Sequence, residues 1–142
     1  MGSYSSTPAL QATGTILPYT FVGIGSADNT GAAATAATTP VLGVSDGSTL
    51  QFDSANHATT GLPITLQGGD VVLIAVTAST VIAVGDRLQA STSGYAIKAV
   101  VTVGPALRWQ GLVALEAVSS QASNVVIRAY KNGGMVYYPT TL

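Results

Sequence analysis

The chain has 142 residues, 47% of them hydrophobic and only 8% charged, with five Lys plus Arg against six Asp plus Glu and a formal net charge of −1. Soluble domains ordinarily carry about 25% charged residues, so this balance excludes charge-driven disorder and offers no basic field to nucleic acid. With no cysteine and a single histidine, His57, the chain lacks the means for a disulfide framework, a thiol nucleophile or a multi-histidine metal site.

The length predicts one domain with a substantial core. Residues 1–14, rich in Ser and Thr and without a sustained period, read as a flexible N-terminal arm, and residues 15–142 as a single β domain. Met1 to Pro8 has neither the cationic start nor the apolar middle of a secretory signal, which predicts a protein made for the cytoplasm. Ile16 to Ile24 opens a strand region in which Pro18 takes an edge or a strand start. Ser26 to Thr39 is turn-rich around Asp28-Asn29-Thr30-Gly31. Its Ala32–Ala37 run is too short and too poor in apolar anchors to hold a helix.

Pro40–Ser45 reads as a strand closed by Asp46-Gly47, and Leu62–Gln67 as an alternating strand closed by Gly68-Gly69-Asp70. Val71–Val76 is the longest apolar run, six residues against the roughly 20 that span a bilayer, so no membrane helix is expected. As continuous β-branched sequence it predicts a strand covered on both faces. Val81–Ala90 reads as a short approach, a Gly85-Asp86 turn and a strand. Tyr95–Val103 reads as a longer strand after the Ser91–Gly94 turn, and Arg108–Ala117 as a core strand. Val125–Tyr130 is a further strand, with Asn132-Gly133-Gly134 turning a hairpin into Met135–Tyr138. Short strands separated by turn residues, without an amphipathic helix, predict an all-β fold: a small β-barrel, or a β-tulip or sandwich. Thr30-Gly31, an Ala-rich stretch and Pro40–Val44 are echoed by Ser93-Gly94, Ala96–Ala99 and Trp109–Val113. A two-lobed barrel explains this faint duplication, as does chance among few residue types.

Little catalytic chemistry is in view. Gly23-Ile24-Gly25 lacks the third glycine and the helix of a dinucleotide loop and is better read as a turn. Asp53 and His57 share a polar loop, where a hydrolase would need further partners. Catalytic, cofactor-binding and metal sites are all expected to be absent. Contact residues are the better prospect: Tyr4 and Pro8 in the arm, Tyr19, Arg108 and Trp109, and Tyr137 and Tyr138 near the C-terminus. Trp109 is read as a core or interface anchor before a ligand-stacking platform. A surface built from Ser, Thr, Gly and Ala loses little on desolvation and hints at assembly.

Gly69-Asp70-Val71-Val72-Leu73-Ile74-Ala75-Val76, then Ile82-Ala83-Val84-Gly85-Asp86-Arg87-Leu88, a Ser93-Gly94 turn and Gly111-Leu112-Val113-Ala114-Leu115-Glu116-Ala117 follow one another in an order that resembles the small capsid decoration, or cement, proteins of tailed bacteriophages. The resemblance runs from about Pro40 to Arg128. It departs from the pattern in a longer Val101–Trp109 segment and in the extension past Tyr130. It implies a non-enzymatic virion protein on the outer capsid surface, made in the host cytoplasm. Its partners would be the major capsid protein and copies of itself, a trimer before a dimer, with no cofactor, nucleic acid or membrane. The alternative is a small glycan- or ligand-binding β module, including a head-fibre base or a virion adhesion domain.

Overall fold

The computed structural model describes residues 10–47, 56–101 and 107–137. They form the strands β1 (Leu10–Ala12), β2 (Phe21–Ile24), β3 (Thr30–Ala33), β4 (Val41–Val44), β5 (Pro63–Ile64), β6 (Val71–Val76), β7 (Val81–Ile82), β8 (Arg87–Ala90), β9 (Ala96–Lys98), β10 (Leu107–Trp109), β11 (Leu112–Ala114), β12 (Val118–Ser119), β13 (Val125–Lys131) and β14 (Met135–Tyr137), with one 3-10 turn at Thr92–Gly94. The fold is all-β. One sheet runs β4-β2-β3-β1-β5 and curls on itself, a closed barrel runs β11-β13-β6-β9-β8, and β10-β14 and β7-β12 are two-stranded ribbons.

The curled sheet and the barrel are the same unit built twice. In unit 1, β1 lies parallel to β3 and antiparallel to β5, while β2 lies antiparallel to both β3 and β4. In unit 2, β6 stands to β9 and β13, and β8 to β9 and β11, in the same senses. The registers coincide as well: Val22 opposite Ala33 is matched by Leu88 opposite Lys98, and Leu10 opposite Ile64 by Ile74 opposite Ile127. Unit 2 closes through Ala114 opposite Ala129, and unit 1 through the bridge of Ser45 to Leu66. Even the outer bridge Ile16–Ala58 has its counterpart in Ile82–Val118. The duplication hinted at by Pro40–Val44 and Trp109–Val113 falls on β4 and β11, which occupy the same place in the two units.

Alternation along these strands decides which residues fill each unit. Ala12, Ile16, Val22, Ala58 and Ile64 form a cluster inside unit 1. Val72, Ile74, Val76, Leu88, Leu112 and Ile127 fill unit 2, and Phe21, Ala34 and Val44, which point out of unit 1, join that second cluster. One unit therefore packs its outer face onto the other, and burying a side chain the size of Phe21 contributes about 1.5–3 kcal/mol. Left-handed turns recur at matched places: Tyr19 (φ 58°) with Gly85 (φ 93°), and Asn29 (φ 57°) with Gly94 (φ 82°). Glycine is required at Gly94, where a Cβ would lie 2.9 Å from the Phe21 carbonyl oxygen.

Five expectations need correction. Leu10–Ala12, placed by sequence in the arm, is a strand with Ala12 buried; three residues are too few to display a period. Val71–Val76 is not covered on both faces, since Val71 and Leu73 remain exposed on the barrel exterior. The strand expected from Tyr95 is confined to Ala96–Lys98 among the described residues. The strand expected over Arg108–Ala117 is two strands, because Gln110 turns its side chain inward and Gly111, packed against Trp109 and the Gly133 carbonyl, breaks the run. β14 accordingly pairs with β10 instead of forming a hairpin with β13.

Candidate functional site

The junction of the two units gathers most of the unusual side chains. Trp109 meets Phe21 edge-on with ring centroids 5.5 Å apart, and its backbone N–H donates to the Ala37 carbonyl at 2.7 Å. Gln67, just past β5, acts as a short piece of strand: its amide donates to the Leu73 carbonyl at 2.7 Å and accepts from the Leu73 N–H at 2.8 Å, while also donating to the Ser45 carbonyl at 2.9 Å. Tyr19, in its left-handed turn, accepts from the Ala75 N–H at 2.7 Å. The edge of β6 that β9 does not reach is thus sealed by unit 1. Beside the junction lies a groove of about 430 Å³ lined by Thr15, Leu17, Ala33, Thr35, Thr92 and Ser93. It carries hydroxyls and methyls and no charge, so it has nothing with which to transfer a proton or hold an ion.

Beneath β10 the barrel holds a buried amide relay. The Gln110 side chain donates to Gln89 Oε1 at 3.0 Å and to the Val100 carbonyl at 3.2 Å, and Gln89 Oε1 also accepts from the Val100 N–H at 3.0 Å. Arg87 donates to the Gln110 carbonyl at 2.9 Å and to the Asn132 carbonyl at 3.3 Å, pinning the turn into β14. Satisfied in this way, the amides fix the path of the chain and offer no reactive group.

His57 is fully buried inside the fold rather than displayed on a loop. Its Nε2 accepts from the Thr65 N–H at 2.9 Å, which leaves Nδ1 to carry the ring proton 3.2 Å from Asp46 Oδ1, close but not aligned as a hydrogen bond. With the Nε2 lone pair committed to the backbone, the ring has no base to offer a substrate. Asp53, the other half of the hydrolase reading, lies outside the described residues. Among the described residues no group of three or more His, Asp or Glu is placed to hold a metal, and no helix is long and apolar enough to cross a membrane.

A second feature is the exterior of unit 2. Across four strands, Val71, Tyr130, Val113 and Arg87 stand in one row on its outer face. Leu73 and Val126 continue it on the same side, with Arg128 paired to Glu116 at 3.6 Å as its salt bridge. Val71 is 50% exposed and Tyr130 43%. The exposed apolar residues of this row are bounded by Arg87 at one end and by the Arg128–Glu116 pair along its side.

Of the contact residues expected from sequence, the structure brings Tyr19 and Trp109 to the unit junction, half-buried, and sets Arg108 beside Trp109 in β10. Tyr137 is in β14 opposite Leu107. Tyr4, Pro8 and Tyr138 lie outside the described residues. Of the row on unit 2, sequence reasoning singled out Tyr130 alone, as part of a contact cluster with Tyr137 and Tyr138. The signal was present in the alternation of Val126, Arg128 and Tyr130, but apolar residues on both sides of β6 blurred the period. What the fold defines is a class, an all-β protein in which a curled sheet and a closed barrel share one strand plan. No family model matches the chain, and no curated protein matches it.

Proposed function

We propose that the chain is a non-enzymatic decoration protein of a tailed-phage capsid, binding the outer surface of the major capsid protein lattice and stabilising the head as a homo-oligomer, a trimer before a dimer. The observation that carries the reading is the row on the outer face of unit 2 in which exposed Val71 and Tyr130 flank half-buried Val113, bounded by Arg87 and by the Arg128–Glu116 pair. A chain with only 8% charged residues loses little when such a face is covered. The motif order from Gly69 to Ala117 that resembles the cement proteins supports the same reading. A lattice repeats its binding site, so contacts that are individually weak gain from high effective concentration once several copies are joined. The protein would be made in the host cytoplasm and reside on the virion exterior, without cofactor, nucleic acid or membrane. The test is to add the purified protein to heads lacking it and measure their survival of heat and osmotic shock. Protection that saturates with added protein is expected; unchanged survival with no bound protein overturns the reading.

A second reading, a glycan-binding module, has the hydroxyl-lined groove of Thr15, Thr35, Thr92 and Ser93 in its favour. Against it, Trp109 is half-buried and its ring is engaged with Phe21 at the junction. Calorimetric titration with neutral sugars decides it: heat that saturates supports the module, and none removes it.

A further inference from the structure

We infer that Asn132 is a self-modification site: its side-chain amide is lost to attack by the Gly133 backbone nitrogen, and the isoaspartate that follows unfastens β14 from β10. Asparagine is among the thermolabile residues, and position decides which one reacts. Asn132 is exposed in the turn after β13, and among the described residues nothing bonds its side-chain amide and nothing accepts from the Gly133 N–H. Gly133 has no Cβ to hinder the approach of its nitrogen to Asn132 Cγ, and the space around it is open.

The other described asparagines lack this combination. Asn29 and Asn124 precede Thr30 and Val125, whose branched side chains crowd the attacking nitrogen. Asn124 Oδ1 also accepts from the Ala78 N–H at 2.9 Å. The N–H that follows Asn56 belongs to buried His57 and donates to the Ile16 carbonyl at 2.7 Å.

The reaction needs water and hydroxide and no other partner. Hydroxide removes the Gly133 amide proton, the nitrogen bonds to Asn132 Cγ, and the Cγ–Nδ2 bond breaks as Nδ2 takes up a proton and leaves as ammonia. Water then opens the cyclic imide. Cleavage between Cγ and the Gly133 nitrogen leaves aspartate on an unchanged main chain. Cleavage between the Asn132 backbone carbonyl carbon and that nitrogen leaves isoaspartate, whose main chain runs through Cβ and Cγ and is one carbon longer.

The extra carbon falls where the chain has little slack. The Asn132 N–H donates to the Gly111 carbonyl at 2.7 Å, and the Gln110 N–H donates to the Gly134 carbonyl at 3.0 Å, so both ends of the turn dock on the same two residues. Arg87 holds the Asn132 carbonyl between them at 3.3 Å. The backbones touch there, since a Cβ on Gly111 would stand 2.6 Å from the Gly133 carbonyl oxygen. A longer link between the two docks gives up one of them, and β14, whose partner among the described residues is β10, comes loose.

The test ages the whole chain in mildly alkaline buffer and maps it peptide by peptide by mass spectrometry, with isoaspartate told from aspartate by enzymatic methylation. Amide loss at Asn132 is expected on the order of tenfold faster than at Asn29, Asn56 or Asn124, and Gly133→Ala should slow it by a similar factor. The isoaspartate form, separated by ion exchange, should show faster hydrogen exchange at the Gln110 amide than the fresh chain. Asn132→Asp, which adds the charge on an unchanged backbone, should exchange there as the fresh chain does. Amide loss no faster at Asn132 than at the other asparagines, unchanged Gln110 exchange in the isoaspartate form, or equally fast exchange in Asn132→Asp overturns the inference.

Discussion

Trp109, in the β10 strand that leads into the barrel, and Phe21, in the curled sheet, meet at 68° with ring centroids 5.5 Å apart, and this edge-to-face pair ties the entrance of β11 to the outer face of β2. The pair joins what would otherwise be two small, marginal units into one cooperative body. Trp109→Ala is expected to lower stability by about 3 kcal/mol and Trp109→Phe by about 1 kcal/mol. Urea unfolding followed by circular dichroism measures both; equal losses would show that the ring edge contributes nothing specific.

Gly94 and Gly61 both take left-handed conformations, at φ 82° and 85°, but only Gly94 is closed in by backbone. Gly61→Ala meets open space and should cost about 1 kcal/mol from its backbone conformation alone. Gly94→Ala adds a clash with the Phe21 carbonyl and should cost about 2–3 kcal/mol. Thermal melts of the two variants side by side check the difference.

The buried ring of His57 supports the loop after β4 against the strand region of Thr65. His57→Ala removes the acceptor of the Thr65 N–H and leaves a void, for a loss of about 2–3 kcal/mol. Hydrogen exchange should report faster opening at Thr65; unchanged exchange there would mean that the hydrogen bond is not formed in solution.

Asp86 caps its own turn by accepting from the Ala83 N–H at 2.8 Å, and Lys98 stands 3.4 Å away. The backbone hydrogen bond chiefly, with Lys98 adding to it, holds the Asp86 carboxyl below the ordinary carboxylate range. A depressed folded-state value means that the stabilisation is present above the unfolded-state value, about 4 for an aspartate, and is lost as pH falls through the folded-state value. Asp86→Asn should therefore be less stable than the natural chain at neutral pH, with the gap closing below about pH 4. Denaturation midpoints across pH 2–7 test the sign, and a gap that widens in acid contradicts it.

The amino-acid pattern made the class of fold legible through turn residues at the ends of short β-branched runs, and it located β4, β6, β8 and β13 within a residue or two. It hinted at the duplication through Pro40–Val44 and Trp109–Val113, although those segments share few identities. What repeats is a register of backbone pairing, and backbone pairing leaves no letter in a sequence when Val22 and Leu88, or Ala58 and Val118, serve the same purpose. The break at Gln110-Gly111 was hidden for a related reason, since only the barrel interior reveals that Gln110 has partners there. The burial of His57 depends on Asp46 and Thr65 converging from separate segments, which spacing along the chain does not encode. Trp109 was legible as an anchor because a lone tryptophan among small residues has few other uses.

We propose that the sparsely charged exterior of this two-unit protein is covered by a viral shell and by its own copies. Quantitative co-sedimentation with phage heads stripped of decoration tests it most directly. The account predicts that bound protein pellets with the heads and saturates at a fixed ratio to the major capsid subunit. Protein that stays in the supernatant at every concentration, with heads and without them, contradicts it.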